Sequence, residues 1–262
     1  MTKRESLDAG VISAALGKYA DKVAVTLLES VDSTNTYAKK IADGSLRLVV
    51  SEYQTSGRGR LGRSFFSPCG KGIYMSLVVP VEKDKSPVVC TVTAAVAAAG
   101  VIDCISDSDA KIKWVNDVFL NGKKVCGILC EGIIDEKSGT VTQVVVGIGM
   151  NLYSEKEDFP EEISDIAASV FPKKTTRSKV TGMIASLFLT LFYEKDTEAI
   201  LKEYKDRLFI LGKKISYTKN CVKYEGVAVD VNEEGNLIVL TDNGTDILSS
   251  GEISLHSDSF TK

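Results

Sequence analysis

Asn121-Gly122 stands between two apolar, β-branched runs, and that dipeptide in that setting dictates a tight antiparallel hairpin. A type I′ turn needs positive φ at both central residues, which asparagine tolerates and glycine adopts freely. The surrounding stretch, "KIKWVNDVFLNGKKVCGILCEGII", is therefore sheet, at least part of it antiparallel. Upstream, "LRLVVSEYQ" and "GIYMSLVVPV" have the same β-branched character, as does "TVTQVVVGIGMNL" downstream, and each adds a strand.

Helical signals alternate with these runs. "VDSTNTYAKKIADG" opens on Asp32 and Ser33 as caps and closes on Gly44, which predicts a short helix. A small-residue segment at 88–106 reads as a buried helix; its nearly apolar part, 88–102, is too short for a bilayer span. Val180, Met183, Ile184, Leu187 and Leu191 recur at helical spacing within 178–207. The fold class is α+β, a mixed or antiparallel sheet with flanking helices. From Leu211 the chain changes character to short strands separated by turns at Glu234-Gly235-Asn236 and Asn243-Gly244, the pattern of a small β-barrel. The boundary is placed at 209–212, dividing the chain into residues 1–209 and 210–262.

Charge and composition exclude several classes. The net charge of −3 argues against bulk electrostatic binding to nucleic acid or membrane, so any basic site is local. The polar N-terminus, "MTKRESLDAG", lacks the apolar core of a signal peptide, and a cytoplasmic location is expected. The single histidine, His256, near the C-terminus, makes a Ser/His/Asp triad improbable. Six scattered cysteines form no C-x-x-C pair and read as free, buried thiols, with no metal site expected.

The basic site is conspicuous. Between Gly57 and Gly72 lie five glycines and four basic side chains, Arg58, Arg60, Arg63 and Lys71. Glycine lets backbone N–H groups approach an anion, and arginine forks bond phosphate or carboxylate bidentately. Taken alone, the stretch also fits a solvated surface loop; a P-loop is excluded, because G-x-x-x-x-G-K-[ST] is absent. A second basic position is Lys113, in "KIKWVND", which alternates with Ile112 and Trp114 and ends a strand.

Five motifs in order, "DSTN" (32–35), "QTSGRGRLGRSFFSP" (54–68), "KWVND" (113–117), "KVCGILCE" (124–131) and "VVGIGMN" (145–151), resemble those of the biotin–protein ligases. The likeness covers about 25–152, and "GEISL" (251–255) is similar to the end of that family's C-terminal domain. The resemblance implies a class II synthetase-like catalytic domain followed by an SH3-like β-barrel. It implies an ATP-dependent ligase that makes biotinyl-5′-AMP and transfers biotin to a lysine of a biotin carboxyl carrier protein, such as that of acetyl-CoA carboxylase, with Mg²⁺ accompanying ATP. Carried over residue by residue, Ser33, Thr34, Asn35 and Gln54 fall at the biotin pocket; Gly57, Arg58, Gly59, Arg60 and Arg63 form the ligand loop. Phe65 falls near the adenine, Lys113 beside the reacting oxygens, and Asn116, Gly127 and Asn151 among the remaining contacts. Arg58, Arg60 and Lys113 are the expected catalytic cations.

Two departures stand out. Val115 replaces the proline usual in "KWPND", which is expected to relax the backbone there. His256 follows "GEISL" where some relatives carry arginine, so no phosphate contact is assigned to the C-terminal domain. Residues 1–31 are too few for the winged helix-turn-helix of the family's repressor members, so a monofunctional ligase without DNA binding is expected, and a homodimer is allowed. A lipoate ligase or octanoyl transferase of related fold is the alternative enzyme, disfavoured by the G-R-G-R-x-G-R loop. A non-catalytic biotin-sensing repressor is the alternative binding module.

Overall fold

The computed structural model describes residues 6–81, 87–219, 222–251 and 253–255. Cys221 and His256 lie outside these residues. The chain runs α1 (Ala9–Ala15), β1 (Ala24–Leu28), α2 (Thr34–Ile41), β2 (Arg47–Ser51), β3 (Gly72–Pro80) and α3 (Pro87–Ser106). Next come β4 (Lys111–Lys113), β5 (Asp117–Leu120), β6 (Lys123–Ile134), β7 (Val141–Asn151), α4 (Glu161–Ser164), α5 (Arg177–Glu194) and α6 (Thr197–Arg207). The remainder is β8 (Lys214–Lys219), β9 (Val222–Val231), β10 (Leu237–Thr241), β11 (Gly244–Leu248) and β12 (Ile253–Leu255).

Seven strands form one sheet in the order β1-β2-β3-β7-β6-β5-β4. Only β1 and β2 are parallel, joined through α2; every other pairing is antiparallel. The β5–β6 connection is the tight turn expected, with φ of 50° at Asn121 and 77° at Gly122. The sheet's two faces have different partners. Ile73, Met75, Leu77 and Val79 of β3 point into the main core with α3 and α5, whereas Val78 joins Val49, Val145 and Ala38 of α2 in a small second cluster. One face is thus covered by helices, and among the described residues the other carries α2 and the arginine loop. That lightly covered face is where a ligand can reach the sheet.

Helix α3 is apolar on all sides, as a helix enclosed by other elements must be. It has 20 residues and is long and apolar enough to cross a bilayer, so length does not exclude a span as the sequence reading held; most of it is buried within the fold instead. The apolar spacing at 178–207 belongs to two helices, broken where Lys195 leaves helical geometry and Asp196 caps α6. Cys90 and Cys126 are buried and Cys130 is half-buried, but Cys69 and Cys104 are exposed, against the expectation of uniformly buried thiols. Burial pushes the Cys126 and Cys130 thiols up to about 12, which leaves them protonated and inert at neutral pH.

The second sheet is antiparallel, ordered β11-β10-β9-β8-β12. It docks against the turn between β4 and β5. Trp114 Nε1 donates to the Gly235 carbonyl at 3.0 Å, and the hydroxyl of fully buried Tyr204 donates to the Val115 carbonyl at 3.0 Å. The Trp114–Val115 peptide is cis. With its carbonyl held by Tyr204 and its side chain buried, Val115 sits in a fixed turn rather than a relaxed one.

Candidate functional site

Strand register builds the floor of the site. Ser76, Gly147 and Leu129 stand side by side across β3, β7 and β6, and in the neighbouring row so do Tyr74, Gly149 and Gly127. The glycines leave a depression that other elements enter. A Cβ on Gly147 would lie 2.2 Å from Asn35 Oδ1, and one on Gly149 would lie 2.5 Å from the Phe65 ring. Glycine at both positions is required by close approach, not by backbone conformation.

The end of the cavity beside α2 is neutral and buried. Ser33, Thr34 and Asn35 are each under 5% exposed at the helix N-terminus. Gln54 Oε1 accepts from the Thr34 amide at 2.8 Å, and Gln54 Nε2 donates to Ser67 Oγ at 2.9 Å, so this side chain ties α2 to the loop. Ser76 Oγ sits 2.6 Å from Asn35 Oδ1 and 2.8 Å from Thr34 Oγ1. Asn35 Nδ2 donates to the Leu129 carbonyl at 3.0 Å and to Glu131 at 2.8 Å. These hydrogen bonds fix hydroxyl and amide groups in place before any ligand arrives.

The opposite end is cationic. The loop between β2 and β3 folds back on itself: the Phe65 amide donates to the Gly57 carbonyl at 2.8 Å, and the Gly59 amide to the Arg63 carbonyl at 2.7 Å. Its two ends are pinned by buried Arg177, which pairs with Glu52 at 2.7 Å and donates to the Gly72 carbonyl at 3.4 Å. Within the loop the arginines diverge. Arg58 reaches Glu131 at 3.3 Å, while Arg60 donates to Asn116 Oδ1 at 3.2 Å, and Asn116 is itself held by the Ile128 carbonyl at 2.9 Å. Arg63, Lys113 and Lys124 complete the cationic wall, with Lys124 paired to Asp117 at 2.7 Å. Gly251 and Ile253, from the second sheet, close one side.

One cavity thus joins a buried hydrogen-bonding end, which Arg58 reaches through Glu131, to a cluster of four further cations, and Phe65 lies on its floor. Comparison with known proteins identifies the family. Residues 27–151 match the model of the biotin/lipoate A/B protein ligase family, and residues 210–256 match that of the biotin protein ligase C-terminal domain. The chain is 31% identical over 241 residues to the bifunctional ligase/repressor BirA of Bacillus spizizenii, covering 86% of this chain and 72% of that one. The chain belongs to the biotin–protein ligase family.

Further members of that ligase family match over most of their length. The biotin–[acetyl-CoA-carboxylase] ligase of Paracoccus denitrificans is 28% identical, with 87% of this chain and 98% of that protein covered. The Aquifex aeolicus biotin protein ligase, solved in complex with biotin and ATP, superposes with a TM-score of 0.73 at 27% identity, over 89% of this chain and 98% of that one. The mixed sheet with flanking helices and the second antiparallel sheet are those of a biotin–protein ligase.

Of the residues singled out from sequence, Ser33, Thr34, Asn35, Gln54, Arg58, Gly59, Arg60, Arg63, Phe65, Lys113, Asn116 and Gly127 all line this cavity. Two do not. Gly57 sits behind the wall, where a Cβ would meet the Phe65 carbonyl at 2.4 Å. Asn151, buried at the end of β7, donates to the Ala168 carbonyl at 3.2 Å and holds that chain in place. Sequence reasoning missed Lys124, Ser76, Gly147 and Gly149. Lys124 and the two glycines stood inside quoted motifs, so the signal was present; Ser76 is identified only by its pairing across the sheet.

Proposed function

We propose that this biotin–protein ligase binds biotin with its ureido ring in the neutral end of the cavity and ATP against the cationic end. The observation that carries the reading is the junction of those two ends within one cavity. Ser33, Thr34, Asn35 and Gln54 offer donors and acceptors for the ureido group. Arg58, Arg60, Arg63, Lys113 and Lys124 offset the repulsion between a carboxylate and a polyphosphate, and fixed positions spare reorganisation as charge develops. Phe65, on the cavity floor, supplies an aromatic face for the adenine ring in this reading. Such a site needs no imidazole base, because the attacking carboxylate is already ionised at neutral pH.

In the first step a biotin carboxylate oxygen bonds to the α-phosphorus and the bond to pyrophosphate breaks. In the second, the amine of an acceptor lysine bonds to the biotinyl carbonyl carbon, AMP departs and the ammonium proton is lost. Arg60, anchored on Asn116, is positioned to retain the mixed anhydride between these steps. Asp117, already paired with Lys124, is the one carboxylate on the cavity wall among the described residues, so Mg²⁺ would be held chiefly by the nucleotide phosphates and water. When bound, the ion would supply further charge neutralisation at the phosphates.

The proposed acceptor is a carrier domain of a biotin-dependent carboxylase, with residues 1–209 as the catalytic unit and 210–262 as a C-terminal domain whose Gly251 and Ile253 close one side of the cavity. Neither DNA nor membrane is among the proposed partners, given the net charge of −3 and the buried position of α3. Biotin-dependent release of pyrophosphate, followed by label on one lysine of an added carrier domain, tests the reading. Equal turnover with lipoate, or none with biotin, would overturn it.

A further inference from the structure

Glu131 does not line the cavity, yet side chains from two walls converge on it. It stands on β6 on the site face of the sheet, opposite Val145, one row beyond Leu129 and Gly147. Helix α2 presents Asn35 and Lys39, four residues apart and so on one face, toward it. Its two oxygens are divided between them. Oε2 accepts from Asn35 Nδ2 at 2.8 Å; Oε1 accepts from Lys39 Nζ at 2.7 Å and lies 3.3 Å from an Arg58 guanidinium nitrogen. Neutralising a half-buried carboxylate requires one cation, and Lys39 supplies it. The approach of Arg58, from the loop on the opposite side of the carboxylate to Lys39's helix, asks for a second account.

We infer that Glu131 is a positioning residue: it holds the loop's first arginine, Arg58, and the Asn35 amide at a set separation across the biotin end of the cavity. The inference rests on the reading above, in which that end takes biotin. Asn35 is fixed on its other side by Ser76, so the carboxylate transmits the position of the sheet and of α2 to the loop. Biotin then meets an arginine already oriented, and the entropy of ordering that side chain is removed from binding.

Glu131→Gln keeps the shape and an acceptor for Asn35 while removing the charge that holds Arg58. Biotin affinity by titration calorimetry is expected to fall by roughly three- to tenfold, a range set by the half-exposed position of Arg58. Turnover at saturating biotin and ATP stays within about threefold, so the change appears in KM rather than kcat. In an Arg58→Gln background the same substitution adds less than about twofold, because its target is gone. Tryptic cleavage after Arg58 in the ligand-free protein accelerates in Glu131→Gln. Where the single change unfolds the chain, Lys39→Met with Glu131→Gln removes both charges, and the same ratios are expected.

Biotin affinity equal to wild type, or an undiminished effect of Glu131→Gln in the Arg58→Gln background, would overturn the inference and leave Glu131 as the counter-charge of Lys39. Failure of the wild type to bind biotin would instead overturn the proposed function. The proteolysis arm would still test the link between Glu131 and Arg58.

Discussion

The two ends of the cavity are built on different physics. At the α2 end, side chains are buried and the amides of Asn35 and Gln54 are held by neighbours on both sides, so recognition there depends on geometry set in advance. A group displaced by a few tenths of an ångström leaves a buried donor or acceptor unsatisfied, which costs ~1–3 kcal/mol. Arg58, tied to Glu131 beside Asn35, stands at the α2 end, whereas at the loop end Lys124 is a third exposed and its pair with Asp117 is worth little in open water. Those charges gain strength only when a ligand displaces solvent. On the proposed reading, the buried end therefore selects the ligand, and the charged end acts once the ligand has made the site dry.

This contrast can be broken at several points. The largest effect is expected at Lys113, where alanine removes a charge proposed to act on the reacting phosphate: adenylate formation falls on the order of a hundredfold, ~3 kcal/mol, with the fold intact by circular dichroism. Wild-type rates of pyrophosphate release would remove Lys113 from the mechanism. At the other end, Gly147→Ala places a Cβ on Asn35 Oδ1 and overpacks the neutral pocket. Overpacking costs of ~2 kcal/mol translate to biotin binding weaker by about thirtyfold, with nucleotide binding little changed. Equal losses for both ligands would mean that the two ends are not separable.

Arg60→Gly tests retention. The variant still consumes biotin and ATP but loses a charge-assisted bond, so the adenylate is held roughly tenfold less tightly and labels bystander lysines. Biotin on added serum albumin is the readout; labelling equal to wild type, with adenylate still formed, contradicts the role. The smallest effect concerns acid stability. Burial opposes ionisation of Glu131, but hydrogen bonds from Lys39 and Asn35, with the charges of Lys39 and Arg58, more than offset it and hold the carboxyl below the ordinary glutamate value. A depressed folded pKa contributes stability that is present above about pH 4.5 and lost as pH falls through the lower, folded value. Glu131→Gln should flatten that acid limb in urea midpoints measured between about pH 3 and 6.

Much of the fold was legible because its signals are local. Asn121-Gly122 turns as its conformational preferences require, and the β-branched runs became β2, β3, β6 and β7. The break at Lys195 was missed because apolar spacing continues on both sides of it, although Asp196-Thr197 carries a cap signal. The arginine loop and Lys113 stood out by composition. Gly147, Gly149 and Glu131 lay inside quoted motifs and Ser76 in none, but the part each plays comes from lateral register between strands far apart in sequence. The bond from Asn151 to the Ala168 carbonyl was illegible for the same reason, since the motif says nothing of a partner 17 residues on.

The division of labour is tested most directly by titrating biotin, without nucleotide, into Lys113→Ala and Gly147→Ala side by side. The account predicts that Lys113→Ala binds biotin within about threefold of wild type despite its slow adenylation, whereas Gly147→Ala binds on the order of thirtyfold more weakly. Biotin affinity lost in Lys113→Ala and kept in Gly147→Ala would contradict it.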